Sequence, residues 1–258
     1  MNVSPLSCAS RPSTPLPAAA VAPSTHDACS SDRVELSSTD HVAPGFLDAL
    51  SNVNGAQGEI TGVALSRQGG WSVLNDRNGY STRNLPDGVT AELSALNAAG
   101  SQVKEVAFTP EGGAAVLFDR NGYWTNSVPQ GAVDQLSALN AAGSEIRSVA
   151  FTPDGQGWVV LNDRNGYSTN GVSADVTNEL SALNSGQHDI KEVAFTPDGG
   201  SAVLFDKNGY WSEGLSQSSI NELSAVNASN QSINHVAFGP VGAAAVTFER
   251  NGYWTEGT

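Results

Sequence analysis

From about residue 42 to the C-terminus, apolar and polar positions recur in one fixed order every 43 or 44 residues. Each unit carries a short apolar run, Val-Ala-Phe-Thr-Pro at Val106, Val149 and Val193, with diverged copies at Val63 and Val236. Each unit also carries Asn-Gly-Tyr, starting at Asn78, Asn121, Asn165, Asn208 and Asn251. In the second unit, alternation over Val103 to Phe108 predicts a strand, and Pro110-Glu111-Gly112 a turn. A second strand is expected over Ala114 to Phe118 and a third over Tyr123 to Val128. Asn121-Gly122 between them predicts a two-residue type I′ hairpin, which needs φ > 0 at both central positions.

The period of the apolar pattern then changes. Pro129 opens a segment running to Asn140 and closed by Gly143. Its apolar residues, Ala132, Leu136 and Leu139, stand at i, i+4, i+7, as do Val89, Leu93, Leu96 and Val176, Leu180, Leu183. That spacing marks one face of a helix. A helix of about three turns is too short to persist alone in water and must pack on the sheet.

A period in this range indicates a propeller, solenoid or array. The ends of the chain separate these. The last unit stops at Thr258 after its third strand and has no helix; Phe46 to Asn54 aligns with the helix of the other units. The piece missing at one end is present at the other. An open solenoid would need polar caps, whereas a ring leaves no exposed sheet end. The expectation is a mainly β, five-bladed β-propeller over 42–258, with a short helix in each unit and the N-terminal helix completing the last blade.

The aromatic residues follow two patterns. Units one and three have Trp71 or Trp158, then Asn75 or Asn162, then Ser81 or Ser168. Units two, four and five have Ala114, Ser201 or Ala244, then Phe118, Phe205 or Phe248, then Trp124, Trp211 or Trp254. Interiors pack near crystal density, so bulk removed from one position must return at another. The expected duty of these aromatics is to seal blade-to-blade interfaces, with sugar stacking as the alternative.

Composition narrows the partners. The net charge of −14 argues against nucleic acid, which needs clustered Lys and Arg, and against an anionic membrane surface. No apolar run reaches the ~18 residues of a membrane helix. Residues 1–41 are rich in Ser, Pro and Ala and read as a disordered tail. Prolines interrupt its apolar stretch, so it lacks a clear classical signal peptide, and the protein is expected to be soluble, in the cytoplasm or secreted. Both cysteines, Cys8 and Cys29, lie in this tail, so no disulfide holds the repeats. His26, His41, His188 and His235 share no repeat position and read as surface residues; no metal or cofactor is expected.

An acidic residue, Asp76, Asp119, Asp163, Asp206 or Glu249, stands two positions before the Asn of every Asn-Gly pair. A base follows it: Arg77, Arg120, Arg164, Lys207 or Arg250. Such tips favour local hydrogen bonding. Read as sites, carboxylates, amides and guanidinium groups can bind sugar hydroxyls, with Trp124, Trp211 or Trp254 as an apolar face. The acidic motif is too short for a calcium loop.

The layout resembles the tachylectin-type five-bladed propeller lectins. The residues that carry the resemblance are Phe195-Thr196-Pro197-Asp198-Gly199, then Ala202-Val203-Leu204-Phe205, then Tyr210-Trp211. The first strand is shorter in aromatic content than that family's, and the segment after the third strand reads as a helix. The resemblance implies sites for N-acetylated sugars between blades. The expected function is therefore non-catalytic, multivalent carbohydrate binding, with a glycan or protein as partner. The alternatives are a protein-interaction scaffold and a hydrolase with an axial site. Catalysis needs groups placed once in unlike environments, and no such set stands out, so an enzyme is not the leading expectation.

Overall fold

The computed structural model describes residues 45–257, and the expectation for the tail lies outside them. It is mainly β: five three-stranded antiparallel sheets, each preceded by a helix. The first sheet comprises β1 (Ile60–Leu65), β2 (Trp71–Asn75) and β3 (Gly79–Arg83), after helix α1 (Phe46–Gly55). Helix α2 (Val89–Ala99) precedes β4 (Val103–Phe108), β5 (Ala114–Phe118) and β6 (Gly122–Asn126). Helix α3 (Gln130–Ala142) precedes β7 (Ile146–Phe151), β8 (Trp158–Asn162) and β9 (Gly166–Asn170). Helix α4 (Ala174–Ser185) precedes β10 (Ile190–Phe195), β11 (Ser201–Phe205) and β12 (Gly209–Glu213). Helix α5 (Gln217–Ala228) precedes β13 (Ile233–Phe238), β14 (Ala244–Phe248) and β15 (Gly252–Glu256).

The strands of one blade pair in sequence order. The five first strands are also neighbours of one another: β1 meets β4, β4 meets β7, β7 meets β10, β10 meets β13, and β13 meets β1. Accordingly there are five hydrophobic cores, each between successive blades under one helix. Between blades two and three, Ala115 and Leu117 meet Leu136 of α3 and Ile146, Trp158 and Val160. Between blades five and one, Ala237, Ala245 and Tyr253 meet Phe46, Leu50 and Val53 of α1, with Trp71 and Val73. The apolar residues at i, i+4, i+7 of α2, α3 and α4 are all buried.

The helix of each unit is pinned to the hairpin before it by one reciprocal contact. Asn97 Nδ2 donates to the carbonyl of Asn78 at 3.0 Å, and Asn78 Nδ2 donates to the carbonyl of Asn97 at 3.1 Å. Asn121 with Asn140, Asn165 with Asn184, and Asn208 with Asn227 repeat it. In the last blade the partner comes from the other end of the chain: Asn54 Nδ2 donates to the carbonyl of Asn251 at 3.2 Å. The backbone N–H of Ile60 likewise donates to the carbonyl of Arg250 at 2.8 Å.

One local expectation is corrected. The hairpin between second and third strands has a three-residue loop, because Asn75 pairs with Gly79 and Phe118 with Gly122. The positive φ falls on the acidic residue, 52° at Asp76 and 49° at Asp119, and the turn glycine has none. Glycine is needed there for close approach: a Cβ on Gly122 would stand 2.3 Å from the Phe118 ring.

Candidate functional site

The ten charged tip residues are exposed but already committed. Asp119 Oδ1 accepts the N–H of Gln102 at 2.9 Å, while the N–H of Asp119 donates to the carbonyl of Gln102 at 2.7 Å. Asp76 with Glu59, Asp163 with Glu145, Asp206 with Asp189 and Glu249 with Ser232 form the same two-bond clamp. These N–H donors hold the Asp76 carboxyl below its ordinary value; for Asp163 the Asn162 amide is the larger cause, and for Asp206 the N–H of Asp189. The bases tie one blade to the next: the carbonyls of Arg77, Arg120, Arg164, Lys207 and Arg250 accept the first N–H of the following inner strand. Arg77 and Lys207 also donate to carbonyls at the C-terminal end of the next helix, Gly100 at 3.0 Å and Asn230 at 2.5 Å.

The tryptophans lie elsewhere. Trp124 is half-buried in the core between blades one and two, with its indole 3.0 Å from where a Cβ on Gly88 would stand. Gly88 caps the N-terminal end of α2, whose C-terminal end meets the tips. An 11-residue helix is about 16 Å long, so the Trp124 indole stands most of that length from the blade-one tip that α2 meets. Trp211 and Trp254 are half-buried in the equivalent cores. Trp71 and Trp158, 4% and 8% exposed, fill the corresponding space from the second strand. The indoles thus lie against the cores between blades, whereas the tip charges are exposed on the hairpins.

The structure gathers a different set on the axis. Every first strand has a register irregularity between its first and third residues. A bulge of this kind re-aims side chains, and here the second and third residues turn toward the channel between the five strands. The second residues are Thr61, Lys104, Arg147, Lys191 and Asn234; the third are Gly62, Glu105, Ser148, Glu192 and His235. These positions break the repeat rule. Lys104 Nζ donates to the carbonyls of Arg120, at 3.0 Å, and Ile146; Lys191 Nζ donates to those of Lys207, at 3.0 Å, and Ile233. Burial lowers the pKa of both ammonium groups. Arg147 pairs with Asp189.

One layer deeper, Glu105 accepts the N–H of Val149 and the hydroxyl of Ser148, each at 3.2 Å. Glu192 accepts the N–H of Val236 at 3.1 Å and meets His235 Nδ1 at 2.9 Å. Burial, and then the charge of Glu192, push the Glu105 carboxyl well above its usual range. His235 is thus an axial residue held by a carboxylate, a correction to its reading as a surface histidine. Among the described residues no group of three His, Cys, Asp or Glu is placed to hold a metal ion.

At the tip face the channel opens into a mouth of about 350 Å³ lined by Glu59, Thr61, Lys104, Glu145, Arg147 and Lys191, among others. The opposite end is crossed by Arg67, which stands where the other units have Pro. It donates to the carbonyls of Pro153 and Pro197 at 3.1 and 3.0 Å. Composition alone could not reveal the axial set. Its one signal was variation at two positions before Val-Ala-Phe in an otherwise regular repeat.

No helix among the described residues is long and apolar enough to cross a membrane. No protein-family model matches the chain, and no curated protein matches it. Among solved structures, it is similar to YCF48 bound to D1 peptide at 11% identity, over 57% of this chain and 47% of that one, with a TM-score of 0.37. It is similar to the Myceliophteria thermophila Cps50 (Swd1) β-propeller domain at 12% identity, over 73% and 66%, with a TM-score of 0.34. YCF48 from Cyanidioschyzon merolae matches at 10% identity over 77% and 82%, with a TM-score of 0.31. The chain spans less than two thirds of the length of the first two, and the propeller assignment rests on its own sheets and helices.

Proposed function

We propose that the protein is a non-catalytic binding scaffold that engages a protein or peptide partner on the tip face, around the axial mouth. One observation carries this reading: the five tips are chemically alike and bonded into the architecture, whereas the axial positions differ from blade to blade. Five like tips without a companion aromatic make poor sugar cradles. One unlike axial set makes a single asymmetric site on a rigid body, and sites of mixed polar groups at a concave mouth favour selective recognition. Eight of the chain's twelve Lys and Arg, five at the tips and three on the axis, sit at this face. It is therefore less acidic than the rest of the molecule, and complementary charge there would speed and orient docking.

Immobilised full-length protein, incubated with native lysate, tests the proposal when repeated with Glu59→Lys and Lys104→Gln. Retention of a partner by the parent protein, reduced several-fold in both variants and unaffected by free monosaccharides, is the expected result. Equal retention by the variants, or displacement by sugars, overturns it.

A further inference from the structure

Blades two and four show how this fold bridges one blade to the next at the axis. In each, the lysine at the second strand position donates to two carbonyls: its own tip base and the first residue of the next inner strand. The glutamate beside it accepts an N–H on that next strand, Val149 or Val236. Ammonium and carboxylate together form a staple across the junction.

Blade one carries Thr61-Gly62 at these two positions and supplies neither group. The acceptor side of the junction is nevertheless built the same way. The carbonyl of Arg77 already receives the N–H of Val103, as that of Arg120 receives the N–H of Ile146. Val106 pairs with Val116 in the register in which Val149 pairs with Val160 and Val236 with Val246, so its N–H faces the channel as theirs do. A second observation comes from blade one itself. The Thr61 hydroxyl is buried in the wall of the mouth and has no hydrogen-bond partner. Buried polar atoms are nearly always satisfied, and an orphan calls for an explanation. The mouth above it, about 350 Å³, has room for a small molecule, and Val103 and Thr61 both line it.

We infer that the junction between blades one and two is a binding site for a small zwitterion, an amino acid or ω-amino acid, that supplies the missing staple. Its ammonium group sits on the carbonyls of Arg77 and Val103, and its carboxylate accepts the N–H of Val106 and the Thr61 hydroxyl. Both charged groups are required, because each half of the staple has its own backbone partners. This site does not depend on the proposed protein partner, and a test without any partner separates the two.

Full-length, isotopically labelled protein is titrated with glycine, β-alanine, 4-aminobutanoate and 5-aminopentanoate while the amide resonances of Thr61, Gly62 and Val106 are followed. Butylamine and butanoate serve as single-charge controls. At least one zwitterion is expected to shift these amides saturably, and at least tenfold more tightly than either control. The variant T61K/G62E installs the staple covalently; it is expected to abolish the shifts. A Cβ on Gly62 would meet Leu74 at 2.9 Å and the Lys104 carbonyl at 3.3 Å, and Glu105 and Glu192 already stand opposite the corresponding Leu117 and Leu204. Should that variant not fold, Thr61→Val reads the same question and is expected to weaken binding several-fold. No saturable shift with any zwitterion, controls that bind as well, or undiminished binding by either variant overturns the inference.

Discussion

A carboxylate that accepts a backbone N–H in the folded chain favours its ionised form, and folding is favoured in return. Asp76, Asp163 and Asp206 have lowered folded-state values, so their contribution is present above the ordinary aspartate value of 3.8 and is lost as pH falls through the folded values. Replacing all three by Asn is expected to flatten the acid limb of a urea-stability profile below that value. Glu105 has the opposite sign. Its folded value is raised, so the stability it permits is full below 4.5 and declines as pH rises toward the raised value. Glu105→Gln keeps an oxygen for the N–H of Val149 and removes the buried charge; stability at pH 7 should rise, and the variant's profile should be flatter than the parent's above 4.5. A parent profile that climbs between pH 5 and 7 would contradict the assignment. At Gly122, an added Cβ would stand 2.3 Å from Phe118. Gly122→Ala is expected to cost about 1–3 kcal/mol by overpacking, read from the urea midpoint.

Among elements, the exchange of aromatic bulk is a statement about two strands sharing one gap. Trp71 on the second strand and Trp124 on the third both face the core shared with the preceding blade. Ala114 and Trp124 lie on one face, since Val116, two residues from Ala114, is paired with Trp124. Trp124→Ser alone should destabilise blade two by about 3 kcal/mol or more, in line with loss of a large aromatic from a core. Adding Ala114→Trp, which converts blade two to the pattern of blade one, should restore part of that loss, and additivity in thermal unfolding would refute the shared gap. The strands themselves, the helix faces and their order were legible from periodicity. The hairpin loop was not, because Asn-Gly signals a two-residue turn with the positive φ on that pair, whereas in the longer loop the acidic residue adopts it.

For the whole molecule, the N-terminal helix is part of the last blade. Leu50 of α1 is fully buried among residues of both blade one and blade five. Leu50→Ala should therefore cost as much as Leu136→Ala in the middle of the repeats, about 2–5 kcal/mol each by chemical denaturation. A much smaller cost at Leu50 would mean that the first and last blades are joined more loosely than the rest. The axial channel belongs to this scale as well. It exists only where five inner strands meet, and no single unit contains it.

The sequence by itself determined the repeat, the strand and helix positions, and the match between the two chain ends. Those follow from local spacing, because burial of one face imposes a period of 2 or 3.6 on any element. It also fixed that the tip residues recur by rule. Tertiary structure alone decided what they do. The tip carboxylates clamp the inner strand and the tip carbonyls receive the next one, so these recurring residues fasten the fold. Only the assembled ring brings Thr61, Lys104, Glu105, Glu192 and His235, far apart in the chain, around one axis. Their chemistry depends on neighbours supplied by other blades, and that information is not local to any stretch of sequence.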